Sequence, residues 1–231
     1  MNNVSLPDHA GFVERAWHYL FIFICCIVFL FLIAPILVII PLSFNAEPYF
    51  TFNENMLALK AEAYSFRWYE DFWSKEIWRD SIGNSFFIGA WSTVLSVILG
   101  TLAALGLSRS EMPYKGLFMG LLISPMIVPL VITAAGIFFF FATMNDVIPL
   151  TGTYLGVILA HTVLGTPFVV ITVTATLSGF DHSLVRAGAM LGADPTTVFL
   201  KIIMPLILPG VISGGLFAFV TSFDEVVVVL F

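Results

Sequence analysis

Apolar positions crowd into five runs, over 17–42, 82–107, 117–144 and 154–177, and from Leu206 to the last residue, Phe231. Each exceeds the roughly 20 residues a helix needs to cross about 30 Å of hydrocarbon. Lipid offers no partner to an unpaired backbone N–H or C=O, so each run is read as helix. The pattern predicts an all-α, polytopic transmembrane bundle, a single domain over 1–231. Prolines punctuate it: Pro35 and Pro41 in the first run, Pro125 and Pro129 in the third, Pro167 in the fourth. Each removes a backbone donor and predicts a kink. Kinked helices line pathways, but proline is frequent in membrane helices generally, so a lining role stays open. The last run carries neither polar flank nor basic anchor over 226–231, which predicts at least one more helix beyond it.

The polar intervals differ sharply. The chain has 9 Lys+Arg and 15 Asp+Glu, and 11 of those 24 charges fall in the 37 residues of 44–80. Aromatics alternate with them. Trp68, Tyr69, Phe72 and Trp73 share one face at helical spacing. This loop reads either as an interfacial helix with its rings in the headgroup layer or as a docking or gating surface. Basic residues set orientation only weakly. Arg15, Arg109, Lys115, Arg186 and Lys201 share one side, against four in the long loop.

Composition excludes several classes. Hydrophobic residues make up 59% and charged residues 10%, with mean hydropathy +1.02, where a soluble domain carries about 25% charge. No water-soluble, disordered or collagen-like chain has this make-up. A net charge of −6 offers no basic patch for nucleic acid. Cys25 and Cys26 are adjacent in an apolar run, without metal-ligand spacing, and read as packing or lipid-side residues. The first apolar run is too long for the core of a cleavable signal peptide. Glycines four apart, Gly116/Gly120, Gly152/Gly156 and Gly210/Gly214, predict close helix approach.

The stretch 178–205 is the most specific. A short Ala-rich helix fits 183–191, and Gly192 fits its C′ stop, where positive φ is needed. Asp194 and Pro195 restart the helix as N-cap and first residue. Two short helices meeting at a glycine make a smooth elbow that suits a partner's groove. The order Arg186-Ala187-Gly188, Gly192-Ala193, Phe199, then Met204-Pro205 resembles the EAA loop of membrane subunits of type I ATP-binding-cassette (ABC) importers. Arg186 stands where that family has an acid, and Met204 where it has Leu.

That resemblance implies a type I (MetI-like) fold with a sixth helix, and 178–205 as a cytoplasmic coupling loop. Arg186, Ala187, Gly188, Gly192, Ala193, Asp194 and Phe199 would then meet a cytoplasmic ABC ATPase dimer. It also implies a second permease subunit, a paralogue in a heterodimer or a copy of this chain, a periplasmic binding protein, and a bacterial inner membrane. ATP and Mg would be held by the ATPase. This chain lacks the G-x-x-x-x-G-K-[ST] loop, so neither cofactor nor catalytic residue is expected in it.

Ser222-Phe223-Asp224-Glu225 interrupts the last apolar run. An Asp at a helix centre costs about 3 kcal/mol on translocon scales. The pair reads as a cation-attracting site or as a structural pair bonded to neighbouring helices. The segment resembles one in the spermidine/putrescine branch of these permeases, as do Trp68-Tyr69 and the stretch from His161 through Pro167-Phe168. Polyamines are alkyl cations, which carboxylates pair with and aromatic faces attract. The expected pathway residues are Trp68, Ser222, Phe223, Asp224 and Glu225, with 138–141 and His161 as weaker candidates. Met126 stands where polyamine relatives often carry an acid. The rival readings are an ABC permease for ferric iron, a phosphonate or an amino-acid derivative, and a secondary transporter or channel. Motifs of intramembrane enzymes are absent from the sequence.

Overall fold

The structure is a computed structural model and describes residues 11–109, 111–181 and 183–230. It is helical, with α1 (Phe12–Leu42), α2 (Glu54–Leu57), α3 (Arg67–Ser74), α4 (Glu76–Leu107), α5 (Lys115–Ile127), α6 (Leu130–Met144), α7 (Tyr154–Ser178), α8 (Ser183–Met190), α9 (Pro195–Val198), α10 (Met204–Asp224) and α11 (Val227–Leu230). It divides into two units, Met1–Arg79 and Asp80–Phe231.

In the first unit, α1 buries none of its residues within the chain. The loop after it is organised by Asn45, only 1% exposed. Asn45 Nδ2 donates to Tyr49 O (2.9 Å) and Thr51 O (3.0 Å), while Oδ1 accepts from Glu47 N–H (3.0 Å). Trp68 Nε1–H donates to Asn45 O at 2.8 Å and so ties α3 to the loop. Ser43 and Tyr69 hydroxyls, 2.7 Å apart, add a second tie from the end of α1.

In the second unit, α7 lies at the centre and α4 and α10 pack on it. The core joins Ala104 of α4, Val169, Val173 and Leu177 of α7, and Ile207 and Ala218 of α10. Small residues set the distances. A Cβ on Gly210 would strike Thr176, one on Gly214 would strike Thr172 and Val169, and one on Gly100 would lie 2.6 Å from Val169 Cβ. Gly165 meets Ser96 and Ala218. Of the three glycine pairs read from the sequence, only Gly210/Gly214 is a packing seam between spans. Gly116 and Gly120 face open space, and Gly152 supplies a positive φ (+69°) in the turn before α7.

Four helical stretches are long and apolar enough to span a membrane: Phe12–Leu42, Glu76–Leu107, Tyr154–Ser178 and Pro195–Asp224. The third expected run departs from a kinked rod. It divides into α5 and α6, bent by 106°. Val128, before Pro129, is extended (φ −70°, ψ 137°), the conformation that a following proline favours. Pro129 has no N–H to continue the ladder. The fifth run also breaks, at Glu225 (φ −82°, ψ 120°), before α11.

Candidate functional site

Two places carry the expected chemistry, the elbow and a polar cavity in the second unit. In the elbow, Asp181 Oδ1 accepts Ser183 N–H at 2.8 Å at the start of α8. The helix stops at Gly192 (φ +82°), where Gly192 N–H reaches Ala189 O and Ala193 N–H reaches Gly188 O. Asp194 then caps α9. Its Oδ2 accepts Thr196 N–H (3.1 Å) and Thr197 N–H (3.2 Å), and its Oδ1 accepts the Thr197 hydroxyl (2.5 Å). The Thr197 hydroxyl, followed by backbone N–H groups, holds the Asp194 carboxyl below the ordinary aspartate range.

The two arms of the elbow close on each other at Gly188. It is buried, and a Cβ there would lie 2.8 Å from Ile202 Cδ1. Arg186, Ala187, Gly192 and Asp194 are exposed, while Ala193 and Phe199 are half-buried. Gly188 is thus internal to the elbow, and Phe199 opens a π-helical turn over Phe199–Ile203 that leads directly into α10. At the tip stand Met190 and Leu191, 89% and 88% exposed. The sequence reading passed over this pair. Its only signal was two long apolar side chains beside a stop glycine.

The cavity has a volume of about 660 Å³ and is lined by the start of α7, the end of α10 and the facing turns of α4. His161, Ser222, Phe223 and Glu225 all line it. His161 is 3% exposed, and its Nδ1 lies 2.8 Å from Ser222 Oγ. Ser222 Oγ in turn lies 3.0 Å from Ser92 Oγ on α4. This buried chain joins three helices, and Ser96 Oγ adds a 3.2 Å bond to Thr162 O nearby. On another wall, Tyr154 Oη donates to Asn84 Oδ1 at 2.9 Å. Phe223 packs edge-on to Phe86, centroids 5.2 Å apart. Among the described residues no Lys or Arg lines the cavity, and Glu225 is the acidic side chain on its wall.

The two carboxylates read as a pair part company. Glu225 is half-buried, lines the cavity, and accepts Val228 N–H at 3.0 Å, capping α11. Asp224 is the exposed last residue of α10 and is not among the lining residues. A break of one residue turns neighbours in sequence to different surroundings. The 138–141 run does not line this cavity either. Phe139 and Phe140 are exposed, and Phe138 and Phe141 line a smaller cavity of about 200 Å³. Trp68 belongs to the first unit. It lines an aromatic cavity there with Tyr69, Phe72, Trp73 and Trp78, and Arg67 sits 4.2 Å over its ring. The four α3 aromatics do share one face, as their spacing predicts. His161 gains weight from the structure, and Ser92, Tyr154 and Asn84 enter as partners that spacing along the chain could not supply.

Residues 96–231 match the family model described as a binding-protein-dependent transport system inner membrane component. The chain belongs to that family. Its relatives include the spermidine/putrescine transport system permease protein PotC of Haemophilus influenzae, 31% identical over 202 residues, 87% of this chain and 74% of the relative. They also include the putrescine transport system permease protein PotI of Escherichia coli, 31% identical over 235 residues, 100% of this chain and 77% of the relative. The crystal structure of a bacterial ABC transporter involved in the import of the acidic polysaccharide alginate matches the fold. Its TM-score is 0.66 over 94% of this chain and 74% of that one, at 18% identity. The all-α ABC permease fold expected from the elbow is therefore the fold observed, and the chain is a membrane permease subunit of a transport system.

Proposed function

We propose that this chain is one half of the membrane pathway of an ATP-driven importer of protonated polyamines such as putrescine and spermidine. The observation that carries the reading is the Glu225 cavity. A single carboxylate, at a helix break and with no cationic neighbour on the cavity wall, offers an ammonium group the charge-assisted partner it needs. The printed substrates of the 31%-identical relatives point to the same class.

In this reading the elbow at 183–199 seats in a cytoplasmic ATPase dimer, which binds ATP and Mg. A similar permease subunit completes the pathway as a heterodimer in the bacterial inner membrane. A periplasmic binding protein delivers the solute to the outer face. The test is uptake of radiolabelled putrescine and spermidine by vesicles holding the assembled transporter. Uptake that stops when the ATPase is disabled supports the proposal. Uptake of neither amine refutes the substrate class, and uptake that persists without ATP hydrolysis refutes the coupling.

A further inference from the structure

Two hydrogen-bonded rungs cross from α4 to α7 beside the Glu225 cavity. The first joins Ser92, Ser222 and His161, with the two hydroxyl oxygens 3.0 Å apart and Ser222 Oγ 2.8 Å from the ring. The second is the 2.9 Å bond from Tyr154 Oη to Asn84 Oδ1. Tyr154 and His161 are seven positions apart in α7, and Asn84 and Ser92 eight apart in α4. At 1.5 Å per residue the rungs therefore stand about 10–12 Å apart. Helix α10 runs antiparallel to α7: Gly210 meets Thr176, Gly214 meets Thr172, and Ser222 meets His161. Glu225, three positions on from Ser222, thus lies about 4–5 Å past the first rung toward the second. That leaves on the order of 6 Å between Glu225 and the Asn84–Tyr154 bond. The second rung is open where the first is buried. Tyr154 is 53% exposed, Asn84 is exposed, and both line the cavity. Tyr154 Oη gives its one proton to Asn84 and keeps its lone pairs, and the Asn84 carbonyl oxygen has two lone pairs, of which that proton takes one. Two neutral acceptors therefore stand along the cavity from the carboxylate.

We propose that the Asn84–Tyr154 pair anchors the second ammonium group of a diamine whose first ammonium pairs with Glu225, so that this pair selects diamines over monoamines. This rests on the polyamine reading above. Five single bonds of about 1.5 Å set the nitrogens of extended butane-1,4-diamine (putrescine) about 6 Å apart, which is the span left between Glu225 and the pair. An ammonium group carries three N–H donors and no acceptor, so neutral oxygens can hold it, and hydrogen bonds to a charged partner are stronger than those between neutral groups. A monoamine on the same four-carbon chain satisfies Glu225 equally. It brings a methyl group to the second rung and makes no hydrogen bond there.

The ligand's second nitrogen is the lever that separates this role from a structural one. The readout is the inhibition constant of unlabelled putrescine and of unlabelled n-butylamine against radiolabelled spermidine. The sample is the purified, assembled transporter in nanodiscs, with the soluble binding protein left out so that only the membrane site reports. Asn84→Ala with Tyr154→Phe removes both acceptors and keeps a ring to pack edge-on to Phe87, 5.8 Å away. The double variant is expected to weaken putrescine about tenfold and to leave n-butylamine within about twofold of wild type. Asn84→Asp keeps an acceptor for the Tyr154 hydroxyl and adds a charge, and is expected to raise the preference for putrescine over n-butylamine several-fold. If both amines weaken by the same factor in the double variant, the pair is a structural tie between α4 and α7, and the proposal is overturned while the polyamine reading stands. If neither weakens, or if wild type binds n-butylamine as tightly as putrescine, the second ammonium is not held here and the proposal is likewise overturned. If wild type binds neither putrescine nor spermidine, both readings fall together.

Discussion

The tip of the elbow offers a clean test of coupling. Met190 and Leu191 project almost fully exposed, at 89% and 88%. Replacing both with Ser removes little that the subunit itself packs against, and the backbone bonds Leu191 N–H to Ala187 O and Gly192 N–H to Ala189 O remain. What it removes is apolar surface for a partner. Fully burying a Met or Leu side chain is worth about 1.5–3 kcal/mol, so the pair supplies roughly 3–6 kcal/mol of gross contact, before the entropy of docking is subtracted. Even half of that is about a tenfold to hundredfold loss in affinity. The assay pairs co-purification of the ATPase with uptake per ATP hydrolysed. The double Ser variant should reach the membrane at normal level, retain less ATPase and transport less. Leu191→Met, close in volume, should behave as wild type. Full retention of the ATPase and normal uptake by the double variant would show that this tip is not the coupling surface.

Gly192→Val places a β-branched residue at φ +82°, which costs about 1–2 kcal/mol locally, and should lower uptake while ATP hydrolysis continues; an unchanged ratio counts against the elbow geometry. Gly100→Ala drives a Cβ to 2.6 Å from Val169 Cβ, whereas Gly116→Ala meets open space. The first should destabilise by about 1–3 kcal/mol and the second should be neutral, as read from Tm of the solubilised transporter. Glu225→Gln should weaken putrescine binding strongly and Asp224→Asn only slightly; equal effects would return the two carboxylates to one role. For Asp194, the carboxyl is depressed in the folded elbow, so its capping contribution is whole above the unfolded value near 3.8 and is lost as pH falls through the lower folded value. The protection of the Thr196 and Thr197 amides relative to their intrinsic exchange rates should therefore fall only in that acid window, and Asp194→Asn, a good cap itself, should remove that fall.

Much of this was legible in the chain. Length and apolarity placed the spans, and the Gly192–Asp194–Pro195 order gave the elbow almost residue for residue. These signals are local, since a stop glycine and an N-cap act on their own neighbours. The rest depends on what lies across space. Ser92 and Ser222 are 130 positions apart, and nothing in either neighbourhood announces the other. The parting of Asp224 from Glu225 needed a helix break at Glu225 that reading 206–231 as one helix hides. The 106° bend was half visible. Pro125 and Pro129 marked the place, but a proline fixes a weak point and neighbouring helices set the angle. His161 is unremarkable in the sequence, and only the fold sets one ring nitrogen against Ser222 and leaves the other without a partner among the described residues.

The unbroken stretch Pro195–Asp224 has a mechanical consequence. Its 30 residues make a rod of about 45 Å at 1.5 Å per residue. One end is the second arm of the elbow, and the other delivers Ser222 and Glu225 to the cavity. A tilt of about 5° about its middle would displace each end by about 2 Å, in opposite senses, enough to remake or break a hydrogen bond. The softest section of the rod is the π turn at Phe199–Ile203, where backbone bonding is least regular. That turn sets how much of a push at one end arrives at the other as movement and how much is lost as flexure.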